Sequence, residues 1–258
     1  MFKSFLASLG VGAATIDLIL DRDVLTMGEA VTGRVVLKGG DVEQLIEGLS
    51  VEFRLASSYK KDDSYINVNE TIQTVQITNQ DFMVYPGEEK EFPFYMVCPA
   101  LLPVSSVNTR YYFQTDLEIK RGLDAEDRDF VEVRPVGIQK NFLEGFRALG
   151  LVHQEEGYTG RQNRGYQIIQ FRPTEWLAGE FDELVFMYQP EDSSNHVSGY
   201  YELDLKTRGL IGFLADELDL NEKKGRFMFA AQQLMTIEDA TFHIQEFINK
   251  NMKGLITG

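Results

Sequence analysis

With 258 residues, 43% of them hydrophobic, the chain has material for two cores rather than for one sandwich of about 100 residues. A net charge of −15 and a pI near 4.7 set it against phosphate backbones, which excludes nucleic-acid binding, and against flat docking on anionic lipid. Cys98 is the one cysteine, so an internal disulfide is excluded, and no run of about 20 apolar residues is present to span a membrane.

The chain opens on a short helix. Phe2, Phe5, Leu6 and Leu9 fall at i, i+3, i+4 and i+7, one helical face ended by Gly10. Ser4, Ser8, Gly10 and Gly12 interrupt the apolar stretch, which is also too short for a signal peptide. Residues 15–20 read as a strand. Two later stretches share one grammar, Leu25-Thr26-Met27-Gly28-Glu29 and Val84-Tyr85-Pro86-Gly87-Glu88: an apolar lead-in, then a Gly-Glu turn, then alternation. Glycine accepts the positive φ of a tight turn, and Pro86 presets φ at its first position. Each turn therefore feeds a strand, over 31–38 and 92–98, with Cys98 an inert core thiol in the second. Between them, residues 49–55 place Val51, Phe53 and Leu55 on one side and Glu52 and Arg54 on the other. Lys60-Lys61-Asp62-Asp63 is a polar turn before further strand over 64–78. Residues 110–120 alternate most clearly, with Tyr111, Phe113, Thr115, Leu117 and Ile119 on one face. A strand over 130–134 closes the first half at Pro135.

Residues 136–165 read as a connection with a short helix over 141–149, and the stretch 135–149 as a hinge. Strands are expected at 166–171, 181–188, 197–205 and 226–231. Thr236-Ile237-Glu238-Asp239 starts a final helix in the manner of a capping box. Ile237, Ala240, Ile244, Phe247 and Ile248 form its apolar face. Short, turn-separated strands without intervening helices give an all-β class: two tandem antiparallel β-sandwiches, residues 1–135 and 136–258, with a short helix at each end.

Met1-Phe2-Lys3, Leu6-Ala7-Ser8, the Gly-Glu-x-Val-x-Gly-x-Val pattern from Gly28, Gly39-Gly40 and Glu43-Gln44 resemble the bacterial sporulation-control M (SpoOM) family. So do Lys90-Glu91-Phe92-Pro93-Phe94, Thr115-x-Leu117-x-Ile119 and the acidic turn over 124–129. The likeness is strong over residues 1–135 and weaker beyond. It implies an arrestin-like fold and a cytoplasmic, non-enzymatic regulator, without implying that sporulation is the process controlled. Met27 stands where arrestin-like turns usually carry Pro, and Glu118 where the family strand usually has Asp.

The chemistry-bearing residues give little else. His153, His196 and His243 are scattered, with no metal-ligand spacing. Nucleophile elbow, phosphate loop and dinucleotide turn are all missing. Asp124, Asp127 and Asp129 are the metal candidates, since calcium takes clustered carboxylate oxygens. Arg128 breaks the EF-hand spacing, and a solvated turn is the plainer reading. Two apolar features offer contact with a partner: Phe2, Phe5, Leu6 and Leu9, and the run containing Leu210 and Phe213. Membrane contact by so short a helix would be weak and peripheral. The expectation is a cytoplasmic adaptor without a cofactor that acts on protein partners, a second copy of itself among the candidates. A calcium- or small-ligand-binding β module is the alternative, and an unrecognised hydrolase ranks last.

Overall fold

The structure, a computed structural model, describes residues 12–61, 64–120, 124–178, 183–204 and 224–252. The helix expected over residues 2–9 lies outside them. The chain divides into two compact units. The first comprises the described residues of Met1–Leu55, Glu70–Pro99 and Arg110–Val133, the second those of Ala56–Asn69, Ala100–Thr109 and Arg134–Gly258. A single cut in the chain therefore does not separate them.

The first unit is a β-sandwich. One sheet has the order β1 (Thr15–Leu20), β3 (Ala30–Lys38), β7 (Glu89–Val97). The other runs β2 (Val24–Thr26), β9 (Ala125–Arg134), β8 (Thr109–Ile119), β4 (Gln44–Lys61), β5 (Ser64–Thr78), with β6 (Phe82–Val84) also on β4. Alternation builds the core between them. Tyr111, Phe113, Leu117 and Ile119 of β8 are buried, as are Val51, Phe53 and Leu55 of β4 and Val31, Val35 and Leu37 of β3. Phe113 meets Phe53 at 5.0 Å and crosses to Phe94 of the facing sheet at 5.5 Å, edge to face. Each such ring contributes roughly 1.5–3 kcal/mol of burial.

Both Gly-Glu turns form as the residues dictate. Glu29 N–H donates to Thr26 O and Glu88 N–H to Tyr85 O, with Gly28 at φ +82 and Gly87 at φ +70 in the third position. That is the type II turn, where only glycine is unstrained. β4 runs further than the seven-residue strand over 49–55, because Ser57 and Tyr59 continue the buried alternation with side chains that do not read as apolar.

Besides residues 56–61 of β4 and 64–69 of β5, the second unit has a five-stranded sheet. Its order is β10 (Leu151–Tyr158), β11 (Gln167–Pro173), β12 (Glu183–Tyr188), β13 (His196–Asp204), β14 (Lys224–Ala230), every neighbour antiparallel. The layer that covers this sheet is helical: α1 (Gly137–Ala148) and α2 (Ile237–Met252). Phe142 and Phe146 of α1, and Ala240, Ile244 and Ile248 of α2, join Phe171, Phe186, Phe227 and Phe229 of the sheet in one core. Phe146 stacks on Phe171 at 4.3 Å, and Phe142 on Phe227 at 5.8 Å. The antiparallel strands expected in this half form, and aromatic side chains spaced by four on α1 join their core. Residues 137–148 are thereby part of this unit's core rather than a hinge. Thr236 caps α2 as its spacing predicts: its Oγ1 accepts from Asp239 N–H at 3.0 Å and donates to Asp239 Oδ2 at 2.9 Å.

Candidate functional site

The candidate partner residues Phe2, Phe5, Leu6, Leu9, Leu210 and Phe213 all lie outside the described residues. The acidic candidates lie within them and separate. Asp127 and Asp129 share the inward face of β9, because strand side chains repeat every two residues. Asp124 stands before the strand, where its Oδ1 accepts from Ile119 N–H at 3.0 Å and closes the β8–β9 hairpin. In place of Asp124 the fold brings in Asp17 from β1. Ligand oxygens of Asp17, Asp127 and Asp129 lie within 4.8 Å of one another, at the seam where the two sheets of the sandwich meet.

Three carboxylates this close repel. Asp127 is eased by Leu18 N–H, which donates to its Oδ2 at 3.3 Å. Asp129 is not: its Oδ2 is shut off from solvent without a hydrogen-bond partner. Burial first, then the charge of Asp127, a hydrogen bond with it and the charge of Asp17 push Asp129 up to about 7. Burial and the neighbouring carboxylates thus favour a proton on Asp129. Asp17 is legible only from the register of strands, since Leu18 and Asp127 are 109 residues apart in sequence.

The second unit carries a different polar cluster, which the sequence reading missed. Residues 100–109 are held there by buried side chains. Gln167 binds both main-chain groups of Val104, accepting at 3.0 Å and donating at 3.3 Å. Gln139 Nε2 donates to Leu102 O at 2.9 Å and to the Tyr188 hydroxyl at 3.1 Å, and that hydroxyl donates to Gln167 at 2.9 Å. Glu156 Oε1 accepts from Val107 N–H at 3.1 Å, and Asn108 donates to the Glu156 carbonyl at 2.9 Å. Ser57 meets Thr109 at 2.9 Å and accepts from Tyr158 N–H at 3.1 Å.

Glu156 follows a bulge in β10, is only 6% exposed, and leaves Oε2 without a hydrogen bond. Burial pushes its carboxyl up to about 7, although Val107 N–H pulls the other way. His153 lies 3.8 Å from that oxygen but is itself lowered by burial, so desolvation draws both partners toward their neutral forms. The cluster holds residues 102–108 in place. Cys98 is quiet, its buried thiol raised to about 11.

On the surface of the first unit, β7 is an edge of the three-stranded sheet and exposes Tyr95 by 60% and Val97 by 46%. The opposite edge, β1, has one N–H taken by Asp127. No helix among the described residues is long and apolar enough to cross a membrane.

Residues 2–206 match the sequence model of the SpoOM protein family. The chain is 30% identical over 257 residues to the sporulation-control protein spo0M of Bacillus subtilis, covering 96% of this chain and 98% of that protein. The crystal structure of Spo0M from Bacillus subtilis superposes with a TM-score of 0.78 at 28% identity, over 93% of this chain and all of the other.

Proposed function

Because the chain belongs to the SpoOM protein family, we propose that it is a non-enzymatic regulator that works as an adaptor, docking extended segments of other proteins on its sandwich. The observation that supports this is the β7 edge. A sheet edge offers main-chain donors and acceptors to an added strand, and Tyr95 and Val97 put exposed apolar side chains beside them. Pro93 removes one N–H from that strand, so the segment over 94–97 is the part suited to pairing. A cytoplasmic setting is the reading favoured by a single cysteine that is buried and unpaired. The test is cross-linked capture from the native cytoplasm with the wild type and a Tyr95→Lys, Val97→Lys variant. A specific protein captured by the wild type and lost by the variant supports the reading. A partner captured equally by both refutes docking on β7, and no specific partner refutes the adaptor role.

A second reading, a calcium-binding β module, is favoured by one observation, the partnerless buried Oδ2 of Asp129 facing Asp17 and Asp127. Calorimetric titration with calcium, showing neither heat nor a shift in melting, rejects it.

A further inference from the structure

A sheet edge presents main-chain donors and acceptors in a row and pairs with a further strand unless something guards it. The first unit guards two of its edges. At β1, Leu18 N–H is taken by Asp127, with Asp17 and Asp129 beside it. At β7, Pro93 lacks an N–H, and Glu89 and Glu91 stand on the same strand. β2, one outer strand of the other sheet, is only three residues long.

β5 is the outer strand on the opposite side of that sheet, and among the described residues no strand lies beyond it. Its part in the first unit begins at Glu70 and then carries neither a charged side chain nor a proline through Thr78; charge returns at Asp81. Thr71, Ile72, Thr74, Val75, Ile77 and Thr78 are β-branched, the type that suits extended strand. Thr71, Thr74 and Gln76 are exposed. Side-chain bonds here run to β4 or along β5 itself: Thr71 donates to Glu52 at 3.4 Å, and Gln76 Nε2 to Leu49 O at 3.0 Å and Thr78 O at 2.8 Å.

A net charge of −15 sets two copies of the chain against each other, so they meet most easily where neither brings charge. Residues 71–78 are such a stretch. Antiparallel pairing of a strand with its own copy needs a two-fold axis normal to the sheet, so residues that face each other differ by an even number of positions. With the axis at Thr74, Thr71 faces Ile77 of the copy, Gln73 faces Val75, and Thr74 faces itself. Glu70 then faces Thr78 of the copy, which puts the two Glu70 side chains eight residues apart along the pair, roughly 27 Å. That is well beyond the screening length of about 8 Å at physiological salt.

We propose that residues 71–78 of β5 pair antiparallel with β5 of a second copy of this chain, joining two six-stranded sheets across a two-fold axis. The contact is isologous and occupies the edge on both copies, so association stops at two.

The experiment is sedimentation velocity of the full-length protein between about 1 and about 300 μM, in about 50 mM and about 500 mM sodium chloride. A reversible shift from 29.4 kDa to twice that mass is expected. The dissociation constant should be on the order of 10 μM, as for a small transient interface, and tighter at high salt, where repulsion between the copies is screened. Thr74→Lys and Thr74→Glu, at an exposed position, each set like charges against each other across the axis and should weaken the dimer about fivefold or more. Their equimolar mixture should recover it, a result that misfolding of either variant cannot give. The Tyr95→Lys, Val97→Lys variant should dimerise as the wild type does, which separates this contact from docking on β7. A wild type that stays monomeric, a dimer that both Thr74 substitutions leave unchanged, a mixture that fails to recover, or growth past two copies overturns the proposal. A monomeric wild type whose captured cellular protein is lost in Thr74→Lys gives the edge to another chain and overturns it equally.

Discussion

Replacing Glu156 by Gln should make the second unit less sensitive to alkali. The carboxyl is 6% exposed, and its pKa stands at about 7 against an ordinary 4.5. A carboxyl raised on folding contributes stability that is fully present below its unfolded pKa and lost as pH rises through the folded one. The window therefore runs from about pH 4.5 to above 7. Across it, the wild type should lose about 3 kcal/mol that the neutral glutamine, able to accept from Val107 N–H in the same way, does not lose. His153 is lowered by burial and so works in the opposite sense, gaining stability as pH rises; comparing the two proteins at each pH removes most of its effect. The chain has one tryptophan, Trp176, which packs against the core of the second unit, so its fluorescence reports that unit. Urea unfolding at pH 5 and pH 8 is the assay. The difference between variant and wild type should shift toward the variant by about 2–3 kcal/mol between those pH values. Parallel pH profiles would refute the assignment of the proton to Glu156.

Three other outcomes follow from the packing and the charges. A Cβ on Gly145 would come within 2.9 Å of Ile244 Cδ1 and 3.0 Å of Ala240 Cβ, so Gly145→Val should cost about 1–3 kcal/mol by Trp176 fluorescence, and a neutral result would contradict close helix packing there. Asp129→Asn should flatten the loss of first-unit stability as pH rises toward and past 7, read by hydrogen exchange of β9; an unchanged slope would mean that Asp129 does not carry the proton. Cys98 should resist alkylation at pH 8 until the protein is unfolded, and rapid labelling of the native state would contradict its burial.

Local chemistry was readable wherever neighbours in sequence decide the structure. The Gly28 and Gly87 turns, the alternation of β8 and the Thr236 cap each depend on two to ten residues in a row. The helical layer over the second sheet was not readable in that way. Phe142 and Phe146 announce a helix, but that they cover Phe171 and Phe227 is a matter of long-range packing. Asp17 could be joined to Asp127 only by knowing which strand edges meet. Gln139, Gln167 and Glu156 escaped notice because polar side chains carry no periodic signal, even when they are buried and hold a segment in place.

The acidic seam between β1 and β9 also bears on crowding. Two copies approaching along their β1 edges would bring two such trios face to face, with one N–H of each edge already occupied by Asp127. Repulsion makes that edge a poor seed for open-ended polymerisation, and β7, with its Pro93, is interrupted as a template. The charges that look idle within one folded chain would thus repel a second copy at this edge, and the repulsion would weaken as acid protonates Asp129.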